Sequence, residues 1–172
     1  SELMSNYKYN ISLPMIKKTS SSFNSLEPKL SLKLSPHDMK NNKTLSRRID
    51  INNIFNSNRL SMDDSFEAGE SATFGLNFKK EKINTMNNLI EIEEYIDFRI
   101  ATAFRLREEK NIPLNSTLNK KNSNIFGQFS FEPTKNISLG YDFSLTDDLN
   151  TFEYNSLMAK MNFHNFSTQF DY

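Results

Sequence analysis

The sequence has 172 residues with no Cys and no Trp, only 4 Gly and 2 His, yet 15 Phe and 6 Tyr, and its formal net charge is zero. Without Cys there are no disulfides or thiolate metal sites, and balanced charge excludes a chain that grips nucleic acid or an anionic membrane surface through net basic charge. No stretch approaches the roughly 20 consecutive apolar residues of a membrane-spanning helix, and the opening SELMSNYKYN has no basic-then-apolar signal pattern.

Period-two alternation dominates the chain, the mark of strands with two unlike faces. Tyr7, Tyr9, Ile11 and Leu13 alternate first, then Leu30, Leu32 and Leu34, then Ile49 and Ile51, then Ala72, Phe74, Leu76 and Phe78. The run YIDFRIATAFRLR puts Ile96, Phe98, Ile100, Phe104 and Leu106 on one face and Asp97, Arg99, Ala101, Ala103, Arg105 and Arg107 on the other. Ile125, Phe129 and Phe131 follow, then Ile137, Leu139, Tyr141, Phe143 and Leu145. Leu157, Ala159, Met161 and Phe163 share a face until parity switches at His164 and Asn165, which reads as a tight hairpin before Phe166, Phe170 and Tyr172. Polar segments between them, KKTSSSFNS, SPHDMKNNKT, KKEKINTMNN and EEKNIPLNSTLNKKNS, read as loops. The pattern predicts about nine strands in an antiparallel meander and no amphipathic helix.

Such an all-β meander fits a β-sandwich, a small soluble barrel or a transmembrane barrel. Sandwich strands run about 5–6 residues, whereas outer-membrane strands need about 9–11, and several here reach that length. The polar faces carry Ser, Asn, Gln, Ala, Asp and Arg rather than the Lys and Glu of a water-washed sandwich, which favours a hydrated, crowded barrel interior.

The most specific stretch is NRLSMDDSFEAGESATFGL, in which Asn58, Arg59, Ser61, Asp64, Glu67, Gly69, Ala72, Thr73, Phe74, Gly75 and Leu76 follow a characteristic order. It resembles the barrel domain of the LptD family of lipopolysaccharide-assembly outer-membrane proteins. Met62 stands where that family favours Gly, and Ser65 where it favours Arg. LEPKLSLKL upstream and NKKNSNIFGQFSFEP downstream are similar to further family stretches in the same order, with Asn124 replacing an Asp. The resemblance implies that residues 1–172 are a piece of a large transmembrane β-barrel, a fragment without the family's N-terminal jelly-roll domain. It implies lipopolysaccharide as cargo, outer-membrane lipids around the barrel, a plug lipoprotein (LptE-like) and a periplasmic bridge protein (LptA-like) as partners, and a place in the Gram-negative outer membrane. Transport without catalysis or cofactor is expected. A soluble β-sandwich or small-barrel binding module is the alternative, and an outer-membrane hydrolase built around His164 the remote one.

Asn58, Arg59, Asp64, Glu67 and Gly69 are expected to form a fold-back loop lining the lumen, with Arg59 paired to Asp64 or Glu67 and Gly69 allowing a tight turn. Arg99, Arg105 and Arg107 are expected to face inward, because each would cost about 2–4 kcal/mol facing lipid near the midplane. Phe98, Ile100, Phe104, Phe129, Phe131, Leu139, Tyr141 and Phe143 are expected to form the lipid-facing belt.

Overall fold

The computed structural model describes residues 4–63, 65–86, 89–163 and 166–172. Its strands are β1 (Tyr7–Ser12), β2 (Met15–Lys18), β3 (Ser22–Ser35), β4 (Gly69–Met86), β5 (Leu89–Arg105), β6 (Ile125–Thr134), β7 (Ile137–Leu145), β8 (Phe152–Phe163) and β9 (Phe166–Asp171). All lie in one antiparallel sheet in the order β1-β3-β4-β5-β6-β7-β8-β9, with β2 also on β3. The sheet is an open piece of a barrel wall. Among the described residues there is no second sheet packed on it, so the sandwich alternative is not the fold.

Nine strands match the expected number, but they are not the same nine. Ile49 and Ile51 do not form a strand; they lie in the long β3–β4 connection, where Asp50 closes a turn by accepting the amides of Asn52 at 2.8 Å and Asn53 at 3.0 Å. In their place stands β2. It continues β1 along the same edge of β3 after a break at Leu13–Pro14. The amide of Leu13 donates to the Pro28 carbonyl at 3.1 Å, and Pro28, lacking an N–H, returns no ladder bond on that side. The segment KKEKINTMNN, read as a loop, supplies the end of β4, paired with β5. The expected hairpin tip at His164 and Asn165 lies outside the described residues.

The two ends of the sheet differ. At one end β4–β5, β6–β7 and β8–β9 are each separated by two residues. At the other, residues 36–68 and 106–124 form long connections that fold back over one face of the sheet. Met39, Ile49, Ile54, Leu60 and Met62 of the first and Ile112 and Leu118 of the second pack with Ala101, Ala103 and Phe126 of the strands. Small strand residues make room for this layer. A Cβ on Gly75 would lie 2.6 Å from the Phe55 ring, so Gly there is what lets Phe55 sit against the strand.

Register fixes which side chains share a face. Phe78, Phe98, Phe129, Tyr141 and Leu157 are aligned across β4–β8, as are Leu76, Ile100, Gly127 and Phe143 across β4–β7. These rows lie on the face opposite the loops. It is apolar and half-open, with Phe74, Phe104 and Phe129 exposed.

Candidate functional site

The centre of the loop-covered face is a buried charge cluster around Glu67. Arg59 approaches through a fork, its Nε donating to Glu67 Oε2 at 2.7 Å and its Nη2 to Oε1 at 2.6 Å. Arg105, at the end of β5, donates through Nη1 to Oε1 at 2.5 Å and through Nη2 to the Ala68 carbonyl. Lys33 of β3 donates to Oε2 at 3.1 Å. The remaining Arg59 donors reach Thr73 Oγ1 at 2.9 Å and Ser71 Oγ at 3.0 Å on β4. One loop carboxylate thus ties together three adjacent strands.

All four charged side chains are at least 94% buried, a depth at which pairing decides whether they can stay charged. Burial by itself would push the Glu67 carboxyl up. Arg59 in the fork, with Lys33 and Arg105 beside it, outweighs that and holds the carboxyl well below the usual carboxylate range. Gly69 sits directly after this cluster at φ +86°, and a Cβ there would meet Arg105 Nη2 at 2.8 Å. Glycine therefore serves both the backbone geometry and the close approach of the guanidinium.

Other expected loop residues take lesser places. Asn58 stays outside the cluster: its side chain donates to the Met62 carbonyl at 3.0 Å and accepts the Met62 amide at 3.3 Å, closing the loop locally. Asp64 lies outside the described residues, and Glu67 is the partner found for Arg59. Of the three strand arginines, Arg105 joins the cluster and Arg99 stands apart. Arg99 forks onto Asp97 of its own strand at 2.7 and 3.2 Å, with Tyr95 Oη donating to the same carboxylate at 3.1 Å. Arg107 lies beyond the end of β5, exposed in the following loop.

Phe98, Ile100, Phe104, Phe129, Phe131, Leu139, Tyr141 and Phe143 all fall on the face away from the loops. Their rings form a continuous surface: Phe129 and Phe131 stack at 6.4 Å, Tyr141 and Phe143 at 5.7 Å, and Phe74 meets Phe104 edge-on at 5.7 Å. Phe143 also covers Gly127. The apolar surface ends where Lys80 and Lys82 follow Phe78 on the same face, Lys80 pairing with Glu94 at 3.7 Å.

Lys33 and Ser71 were not singled out in the sequence, and Thr73 stood there only as part of the family-like stretch. The available signal was parity, since Lys33 interrupts Leu30, Leu32 and Leu34 on the opposite face of a strand. A second polar tie, in which Asn124 donates to Ser144 Oγ at 2.9 Å and to Glu153, anchors the end of the 106–124 loop to β7 and β8. Arg48 completes the span of the first loop by lying over the Tyr154 ring at 3.2 Å.

Comparison with curated proteins gives no significant match. The family model of LptD, described as LPS transport system D, matches residues 1–172. An open antiparallel sheet with one apolar and one polar face is what a wall segment of that family's outer-membrane barrel requires, and the chain belongs to the LptD family of lipopolysaccharide-transport proteins.

Proposed function

We propose that residues 1–172 are a wall segment of an outer-membrane translocon that inserts lipopolysaccharide into the outer leaflet. The carrying observation is the division of one sheet into an exposed apolar face and a polar face onto which a charged loop is locked. In this reading the aromatic face meets hydrocarbon. From Ile96 to Phe104 on β5 the apolar row spans eight residue steps, roughly 27 Å along the strand. Tilted by about 40°, that gives a height of about 21 Å, close to the roughly 25 Å belt of such barrels.

Barrels of this kind have short periplasmic turns and longer outer loops, which puts the 36–68 and 106–124 connections at the extracellular end, folded into the lumen. The polar wall below them, with Arg99–Asp97 and Lys79–Glu81 pairs, offers a hydrated surface to cargo and to an LptE-like plug. An LptA-like bridge would deliver cargo and supply the drive from the periplasm. No residue is assigned covalent chemistry.

The test uses full-length protein reconstituted in bilayers, with single spin labels at Phe98 and Phe129 and at Arg99 and Gln128. The first two should be relaxed by oxygen dissolved in the bilayer, the second two by a water-soluble nickel complex. Water-phase access at Phe98 and Phe129 would overturn the membrane reading. Depleting the protein in cells should lower newly made lipopolysaccharide at the surface, and unchanged surface delivery would overturn the transport reading.

A further inference from the structure

On the central strands β3–β5 the cations have carboxylate partners close by, among them Lys29–Glu27 at 3.2 Å, Lys79–Glu81 at 2.6 Å, Lys82–Glu93 at 3.4 Å and Arg99–Asp97 at 2.7 Å. The fold-back loops break that pattern. Residues 36–52 carry four Lys and Arg against Asp38 and Asp50, and residues 106–124 carry four against Glu108 and Glu109, although the whole chain is neutral. Hydrogen bonds hold the two segments side by side. The Asn42 amide donates to the Asn111 carbonyl at 2.9 Å, the Leu114 amide to the Lys43 carbonyl at 3.4 Å and the Arg47 amide to Asn115 Oδ1 at 3.1 Å.

Lys40, Lys43 and Lys110 are thereby neighbours, and the Glu109 amide bonded to the Asn119 carbonyl at 3.1 Å brings Lys120 and Lys121 to the same layer. All five lysines are exposed. None of the five forms an ion pair among the described residues. Two nearby acids are engaged in local turns, Asp50 with Asn52 and Asn53, and Glu109 with the Asn111 amide at 2.9 Å. Arg47 Nε is a buried donor without a partner among the described residues. A layer of like charges left in this state repels itself, and a polyanion relieves it.

We propose that this lysine layer binds the phosphate groups of a lipopolysaccharide headgroup; the proposal rests on the translocon reading above. Lysine is a compact charge on a flexible stem, suited to a headgroup that arrives and leaves. Protein–protein interfaces instead enrich arginine and deplete lysine, which argues against the plug as occupant. A molecule in transit through the lumen and a resident of the outer leaflet beside the loops present the same phosphates.

The experiment compares full-length wild type with the K40Q/K43Q/K110Q/K120Q/K121Q variant, and with K40Q/K43Q should the larger set fail to fold. Binding is measured with purified lipopolysaccharide and with the same material stripped of phosphate, at about 0.05 M and about 0.5 M ionic strength. Each lysine near an anionic lipid surface is worth about fivefold in affinity. The five-lysine variant should lose about 3,000-fold for the phosphorylated form at low salt if the five act independently, and no less than about 50-fold if they share phosphates, and K40Q/K43Q about 10- to 25-fold. Both should show little change for the stripped form. Equal binding by variant and wild type, an equal loss for both lipids, or a loss of plug binding alone would overturn the proposal. Adding the lipid from the periplasmic side or preloading it in the outer leaflet tells which source the lysines serve. Wild type that binds phosphorylated lipid through these lysines yet never moves it across would sink the translocon reading while leaving phosphate binding in place.

Discussion

Replacing Glu67 with Gln removes the one carboxylate among Arg59, Arg105 and Lys33 while keeping its size. Each cation is fully or nearly fully buried, and the charge-assisted hydrogen bonds that Glu67 accepts from them are 2.5–3.1 Å long. Stripping one partner from a buried ion pair costs about 3–5 kcal/mol, most of it from the charge left behind. Here three cations are left facing one another, and the least costly response is for the loop to leave the wall with Arg59. At about 1.4 kcal/mol per tenfold, the ratio of docked to undocked loop should fall roughly 150- to 5,000-fold.

Hydrogen exchange of the full-length protein in bilayers reads this ratio directly. The amides of Ile54, Asn56 and Ser61 are held by bonds within the loop, to Asp50, Asn53 and Asn58. In E67Q their exchange should accelerate by about that factor, while amides of the β6–β7 ladder keep wild-type protection. R59M should cost less, because Glu67 then retains Arg105 and Lys33. Acceleration of less than about fivefold in E67Q, or a larger effect for R59M, would refute the reasoning that Glu67 is the common anchor.

Acid should act through the same carboxylate. Its folded-state pKa lies below that of the undocked loop, about 4.3, so the stabilisation is complete above that value and is lost as pH falls through the folded value. Loop protection should be flat from about pH 8 to pH 5 and decline below about pH 4, and E67Q should lack this decline. Gly75→Val should displace Phe55 and cost about 1–3 kcal/mol, with Phe55→Ala relieving part of the loss in a double-mutant cycle read by the same exchange. Gly69→Ala should cost about 1–2 kcal/mol through its left-handed backbone, with further loss from contact with Arg105, measured by denaturant unfolding in bilayers. Phe98→Arg or Phe129→Arg should lower folding stability in bilayers by about 2–4 kcal/mol, whereas Gln128→Arg, on the other face, should change it little.

Strands were legible where their two faces meet unlike surroundings. Residues 72–78, 96–104 and 137–145 alternate cleanly because one side is apolar and open and the other meets loop or polar wall. The far end of β4 read as loop, and the start of β5 fell outside the strand pattern, because both strands continue past the apolar band, where Lys80, Lys82, Glu93 and Glu94 pair with one another. There charge no longer distinguishes strand from turn. The first half of β3 was hidden for a related reason: Ser22, Asn24 and Ser25 give it little contrast, and Pro28 argues against a central strand unless its partner breaks opposite it. Ile49 and Ile51 show the converse error. Two apolar residues flanking one polar residue satisfy period two by chance, and Ile49 is buried by the loop's own core.

The candidate site was legible in its acid and in two of its cations but not in its geometry, since spacing along the chain cannot say that Lys33, Arg59 and Arg105 converge from two strands and a loop. What selects the loop's resting place is the distribution of partners. Arg99 is satisfied by Asp97 two residues away and needs nothing from the loop. Arg105 and Lys33 have no acid within their strands at contact distance among the described residues, and the wall can keep them buried only when Glu67 arrives. An apolar loop could rest on Gly75, Ala101 and Ala103 in several registers, but a carboxylate that must meet two donors fixed on the wall, Lys33 and Arg105, can rest in one. Docking and wall stability are therefore one equilibrium: whatever draws Glu67 away from Arg105 also leaves the wall with two unpaired charges.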